Sequence, residues 1–442
     1  MKFISVVLIF TLSVCAFSQT KMTSEEAIRI GLENNYDIQI ARNNHQIAEN
    51  SVSNGTAGFL PTLDASGGYQ QAFSEQETNS PFGLGDSDSE TRSAQIALNW
   101  TLFDGFKMFM NRSQLRALER ATDYQTRFII ENTVVSILRA FFNVVQQELL
   151  LDVAKNTVEI SGTRFEKERV RQDLGASSTT DYLNAQVAYN DDRANLMDQE
   201  LNLAVAKKEL NILLGRTPDV PVSVQKDILI TPLDQEIETL IDLALERNKE
   251  VKRAEQQIVV AQKGVGLARG SFLPRLSLKA SYDLSDVTST RSSDTTSSRS
   301  FTIPDKLNTE TLSGNVGLTL SFNLFNGFRD KVAWQNARLA EKNAYLELRK
   351  LQNYVVGLVR EKHTTLYKRL ELIRLEEQNV QAATQNLQIQ QDRYAIGAAS
   401  SLEFRDAQVN LNRAQTALIT AQYQARITRL EIDQLSGILE LK

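Results

Sequence analysis

Two short stretches hold the residues best placed to act on something else. Ser178 is followed three positions on by Asp181, and Ser400 by Glu403, with Asp406 three further along. Both stretches follow a small-residue turn, Leu174-Gly175-Ala176 and Ile396-Gly397-Ala398. A Ser-x-x-acid pattern reads as a capping box, in which the serine accepts from the third N–H of a helix and the acid reaches back to the serine's own N–H. Acids are in any case favoured at helix starts. The other reading has these carboxylates facing a passage. Glu403 and Asp406 share a helix face at a spacing of three. Repeated around an axis by several copies of the chain, they would form charged rings, which favour cations at a constriction. Asp406 lies beyond the box and is the better single candidate for that role.

Other chemistry finds little support. The 442 residues include 2 His and 1 Cys, too few for a zinc protein or a thiol enzyme. His45 and His363 stand alone and far apart. Gly264-x-Gly266-x-x-x-Gly270 lacks the preceding strand that a nucleotide loop needs. With no nucleophile–base pairing, neither an enzyme, a cofactor nor a metal is expected. The net charge of −5 gives no support to nucleic-acid binding.

Long helices must position the turns. The chain has only 7 Pro, none of them in 105–217 or 305–442, and a proline inside a helix costs about 3 kcal/mol. Residues 1–18 read as a signal peptide: Lys2, a short apolar run, then small residues. Cys15 falls within it, and lipidation there is the alternative to cleavage near Ser18. No later run of about 18 apolar residues is seen, so no transmembrane helix is expected.

The remainder is a duplication. Phe59-Leu60-Pro61 recurs as Phe272-Leu273-Pro274, and Leu102-Phe103-Asp104-Gly105-Phe106 recurs as Leu324-Phe325-Asn326-Gly327-Phe328. The first repeat covers 19–215, with a β-hairpin at 61–103 and a helical hairpin at 105–215. The second covers 233–437, with a β-hairpin at 274–325 and a helical hairpin at 327–437. A linker, 216–232, joins them near the equator, and a tail, 438–442, follows. Helices are expected at 24–58 and 234–270, at 107–173 and 329–394, and at 180–214 and 402–435. Steps such as Val134, Leu138, Phe141 and Val145 fit a packed seam. At 1.5 Å per residue, a helix of about 67 residues is roughly 100 Å long, matching two half-length helices laid end to end.

The extended segments alternate. Gly314, Val316, Leu318, Leu320 and Phe322 share one face and Asn315, Gly317, Thr319 and Ser321 the other. Ala94, Ile96, Leu98, Trp100 and Leu102 do the same in the first copy. Strands of about ten residues with one apolar face fit a membrane barrel. Four strands cannot close one, because open edges are not tolerated in lipid. The chain must therefore pool strands with copies of itself, and three copies would supply twelve. At the junctions Asp104 and Asn326 are suitable helix N-caps. Trp100, Phe103, Phe106, Phe325 and Phe328 would sit at the membrane–water boundary, where aromatics anchor. Ordinary packing at a turn is the plainer alternative.

In this order of motifs, occurring twice, the sequence resembles the TolC family of outer-membrane efflux and secretion channels. The resemblance also rests on Asp181-Tyr182-Leu183-Asn184-Ala185 and Glu403-Phe404-Arg405-Asp406-Ala407 after the turns. It implies a mainly α fold with membrane β: a periplasmic α-barrel of long antiparallel helices and a trimeric 12-stranded β-barrel. It implies an outer-membrane location extending into the periplasm. The implied partners are a homotrimer, a periplasmic adaptor (membrane fusion) protein, an inner-membrane pump or secretion ATPase, and outer-membrane lipid. It implies that polar contacts at the turns close the entrance, with Tyr394 reaching Asp181 of the neighbouring hairpin and the copy-two acids facing the pore. Ala399 stands where the family carries a basic residue. The rival is an exported coiled-coil protein of structural or adhesive type, which would not need alternating strands.

Overall fold

The computed structural model describes residues 21–75, 87–175, 177–230, 232–291 and 306–439. The expected signal peptide with Cys15, parts of the two hairpin loops and the last tail residues lie outside the described residues.

The first expected helix is broken. Helix α1 (Ser24–Asn34) starts at Thr23, whose hydroxyl accepts from the Glu26 N–H at 3.2 Å. It ends at Asn35, and α2 (Tyr36–Ser51) and α3 (Asn54–Ala57) follow. The cause is the buried Asn35 side chain. Its Oδ1 accepts from the N–H groups of Asp37 and Ile38 at 2.9 and 3.1 Å, while its Nδ2 donates to the Leu213 carbonyl at 2.8 Å. Such local side-chain bonding competes with helix continuation.

In strand β1 (Thr62–Ser74), β2 (Ser87–Phe103) and helix α4 (Lys107–Asp173) the chain follows the expected order, and α5 (Thr179–Leu213) returns. The second copy repeats the pattern with α6 (Ile237–Arg247), α7 (Lys249–Gly270), β3 (Arg275–Arg291), β4 (Lys306–Ser321), α8 (Arg329–Ala395) and α9 (Ser401–Leu435). Its helix too is broken by an asparagine. Asn248 accepts from the N–H groups of Glu250 and Val251 at 3.0 and 3.3 Å and donates to the Leu435 carbonyl at 3.2 Å. Helices α4 and α8 have 67 residues each, and α5 and α9 have 35 each.

The chain forms two compact units, each drawing on both copies. One comprises 21–42, 125–251 and 352–439. Its core joins Ile28, Val134, Ile137, Phe141, Leu210 and Leu430. Part of the linker is structured: Val222 and Val224 enter this core. There the Met22 N–H donates to the Ser223 carbonyl at 2.8 Å, and the Gln225 N–H to the Met22 carbonyl at 3.0 Å. Contrary to expectation, α4 contains one window long and apolar enough to cross a membrane. Some 61% of it is buried, and its apolar side chains are needed for the core.

The second unit, 43–124 and 252–351, holds an antiparallel sheet in the order β1-β2-β3-β4. The register aligns Leu63, Leu98, Ala280 and Val316 across all four strands, and Asp64, Ala97, Ser281 and Asn315 beside them. Alternation therefore gives the sheet one apolar and one polar face. A bulge between Thr101 and Phe103 corrects the expected pattern: Leu102 is left without a partner and Phe103 pairs with Leu276. The extra residue shifts the alternation by one. The strands have 13, 17, 17 and 16 residues, longer than the expected ten. Ser- and Thr-rich flanks that read as loops continue the ladders, because backbone pairing does not require apolar side chains. Strands β1 and β4 each have one neighbour among the described residues.

Candidate functional site

At the tips of both helical hairpins the chain turns through left-handed glycines, Gly175 at φ +70° and Gly397 at φ +78°. Ser400 starts α9 with the full capping box. Its hydroxyl accepts from the Glu403 N–H at 3.2 Å, and the Glu403 carboxylate accepts from the Ser400 N–H at 2.7 Å. The bond from the Ser400 N–H, followed by one from the Ser400 hydroxyl to the same carboxylate at 2.9 Å, holds the Glu403 carboxyl below its ordinary range. At Ser178 the expected box differs. The hydroxyl accepts from the Asp181 N–H at 3.1 Å but donates to the Asp181 carboxylate at 2.7 Å. The Ser400 hydroxyl bonds its acid in the same way, so the difference is the backbone bond: aspartate is one methylene shorter than glutamate, and α5 shows only the side-chain cap. Asp181, Glu403 and Asp406 are all exposed.

Tyr394 is buried, and its hydroxyl donates to the buried carboxylate of Glu168 on α4. Within the chain the hydroxyl is taken by Glu168 and the Asp181 carboxylate by Ser178; a buried carboxylate needs donors more than an exposed one does. The tyrosine ring stacks on Phe404 at 5.3 Å, with the Arg171 guanidinium 4.8 Å above it. Burial first, and then the bond to Glu168, push the phenol well above its ordinary range. Glu168 also accepts from the Ser177 hydroxyl at 2.5 Å.

This contact belongs to a buried polar seam between the two hairpins. Arg405 on α9 grips Asp192 on α5 through two bonds of 2.6 and 2.8 Å. Gln408 donates to the Thr157 carbonyl at 2.8 Å, and Arg164 to the Ser401 carbonyl at 3.3 Å. Burial, reinforced by the nearby Arg405 charge, lowers the Arg164 pKa. Sequence reasoning missed Arg164, Glu168, Asp192 and Arg405. One signal was available. The seam through Val134, Leu138, Phe141 and Val145 continues at helical spacing through Thr157, Ser161, Arg164 and Glu168, all buried. Charges on a seam call for partners.

The strand-to-helix junctions are alike in the two copies. Gly105 and Phe106 are both left-handed, at φ +75° and +67°, as are Gly327 and Phe328 at φ +67° and +63°. Glycine takes this conformation freely, whereas a phenylalanine there is strained. Asp104 lies three residues before α4 and so is not its N-cap residue, but its Oδ1 accepts from the Met108 N–H at 3.2 Å; at Asn326 the backbone carbonyl accepts from Arg329 Nε at 3.2 Å. Phe103 meets Phe106 edge-on at 5.1 Å, and Phe325 meets Phe328 at 5.4 Å. The first cluster extends to Phe109 and Phe59, and Trp100 donates to the Phe59 carbonyl at 3.0 Å. Phe106, Phe325 and Phe328 remain exposed.

On β3 the apolar stretch from Leu276 to Leu284 is about 27 Å along the strand at ~3.3–3.4 Å per residue. Tilted by ~40°, it stands about 20 Å tall, close to the ~25 Å apolar band of outer-membrane barrels. A sheet with such a face, and with two edges unpaired among the described residues, defines a barrel-forming subunit.

Comparison with known proteins agrees. The model of the outer membrane efflux protein family matches residues 27–216 and 240–438, and the chain belongs to that family. It is 24% identical over 393 residues to the outer membrane protein TolC of Escherichia coli, covering 88% of this chain and 76% of that one. It is 22% identical over 424 residues to the probable efflux pump outer membrane protein TtgC of Pseudomonas putida, covering 89% and 78%. Among solved structures, the Campylobacter jejuni CmeC outer membrane channel superposes with a TM-score of 0.76 at 16% identity, over 94% of this chain and 85% of that one. The family match and the sheet register set aside the rival of an exported coiled-coil fibre.

Proposed function

We propose that the chain is the exit duct of a tripartite efflux assembly, a passive conduit opened at its periplasmic end by iris-like movement of the helix hairpins. It is an outer-membrane protein that extends into the periplasm. Three copies pool four strands each into a 12-stranded β-barrel, and their hairpins form the α-barrel. A periplasmic adaptor engages the trimer, and an inner-membrane pump or secretion ATPase supplies the energy. The duct itself does no chemistry.

At the tips, the seam of Tyr394–Glu168 and Asp192–Arg405 holds the two hairpins of each chain together in the closed state. Asp181, Glu403 and Asp406 line the mouth as rings of three, with Asp406 the pore acid least occupied by capping. Trp100, Phe103, Phe106, Phe325 and Phe328 anchor the barrel at the membrane boundary. The observation that carries this reading is the sheet: an apolar face in register across four strands, ending at two edges that are unpaired among the described residues. In lipid such edges must be closed by copies of the same chain.

The test is membrane fractionation followed by unheated gel electrophoresis. An outer-membrane species at three times the chain mass is expected, and a soluble monomer would overturn the reading. In planar bilayers, Asp406→Asn should then lower the cation preference of the assembled channel.

A further inference from the structure

The glycines of Gly264-x-Gly266-x-x-x-Gly270 serve close packing. A Cβ on Gly266 would lie 2.8 Å from the Met110 sulfur, and one on Gly270 2.7 Å from the Gly105 carbonyl oxygen. Helix α7 thus approaches the start of α4 more closely than side chains would allow. Beside this contact lies a groove of 1040 Å³ lined by residues of α4, α7 and α8 and of the turn after α7. Phe106, Met110, Phe272 and Trp334 supply apolar walls, and Arg269, Lys331 and Arg338 supply charge. Among the described residues, none of these three cations forms an ion pair. Arg338 lies over the Trp334 ring at 5.2 Å, and Lys331 over Phe328 at 5.8 Å. A second hollow at the same junction is lined by Thr101, Arg275 and Ser321, which belong to the polar face of the sheet. The groove contains none of these. It lies at the strand-to-helix junction, beside Gly105 and Phe106.

We propose that this groove binds an anionic glycerophospholipid of the inner leaflet. The phosphate would be held by Arg269, Lys331 and Arg338, and the first part of an acyl chain would lie against Phe106, Phe272 and Trp334. Guanidinium groups match phosphate oxygens in a forked geometry. Basic pockets between helices at a membrane surface are suited to lipid headgroups. A soluble phosphate would leave the aromatic walls wet, and a zwitterionic lipid would leave three cations without compensation. The proposal rests on the outer-membrane location and not on the gate at the hairpin tips.

Tryptophan fluorescence tests it directly, because Trp100 and Trp334 are the only two in the chain. The full-length Trp100→Phe protein is reconstituted with phosphatidylcholine and increasing mole fractions of acyl-brominated phosphatidylglycerol, or of brominated phosphatidylcholine as control. Trp334 should be quenched at lower mole fractions of the anionic lipid, and added salt should reduce the preference. Lys331→Gln and Arg338→Gln should each weaken it about tenfold, as expected for one lost charge-assisted contact. Lys331→Arg should retain it. Unheated gels report whether each variant assembles, and the salt series tests the charge dependence without any charge variant. Equal quenching by both lipids, or a preference unaffected by salt and by the glutamine variants, would overturn the proposal. Loss of the preference on adding millimolar inorganic phosphate, at constant ionic strength, would also overturn it, by pointing to a soluble phosphate.

Discussion

Single side chains at the hairpin tips make separable contributions. Glu403 is the clearest, since two bonds from Ser400 stabilise its charged form. Its folded-state pKa is therefore below the ordinary value of 4.5. A depressed carboxyl contributes stability that is fully present above the unfolded-state value and is lost as pH falls through the folded-state value. Glu403→Gln keeps a capping side chain but does not titrate. Thermal unfolding followed between about pH 6 and about pH 3 should show a shallower acid loss in the variant than in the parent. Tyr394 acts differently, because both it and its partner are buried. Tyr394→Phe leaves the Glu168 carboxylate short of one donor, at a cost of about 1–3 kcal/mol read from the denaturation midpoint. If the seam closes the mouth, the same variant should raise single-channel conductance. A destabilised protein of unchanged conductance would give the seam a purely structural role.

Whole elements depend on the paired asparagines. Asn35 and Asn248 each end one helix, cap the next and donate to the last turn of a third, α5 or α9. Asn35→Ala and Asn248→Ala should each cost about 1–2 kcal/mol in urea unfolding. Asn35→Asp should lose less, because it keeps the capping acceptor and forfeits only the bond to Leu213. These breaks were not legible in the sequence, where an asparagine inside a helical period is unremarkable. The long helices were legible, because helical periodicity without proline persists over spans that no loop interrupts. The sheet faces were legible from strict alternation, but the bulge at Leu102 and the polar ends of the strands were not. Ladder pairing leaves no mark on side-chain pattern. The Asp192–Arg405 pair was hidden for another reason: its members are 213 positions apart, and charged residues on helices usually face water.

For the molecule as a whole, the decisive property is which face of the sheet meets lipid. Leu318 pairs with Leu278 on the apolar face, and Thr319 pairs with Ser277 on the polar face. Leu318 lies near the middle of the apolar run from Leu312 to Phe322, where the membrane is furthest from either surface. An arginine on the lipid face at such a depth costs about 2–4 kcal/mol, while one facing the lumen is solvated. In a trimer each substitution occurs three times, which magnifies the contrast. Leu318→Arg should therefore sharply reduce the outer-membrane oligomer on unheated gels. Thr319→Arg should leave the amount of oligomer near that of the parent while shifting the channel toward anion preference in planar bilayers. The reverse pattern, with Leu318→Arg tolerated and Thr319→Arg lost from the membrane, would mean that the polar face is turned outward. A sheet in that orientation could not form the barrel wall.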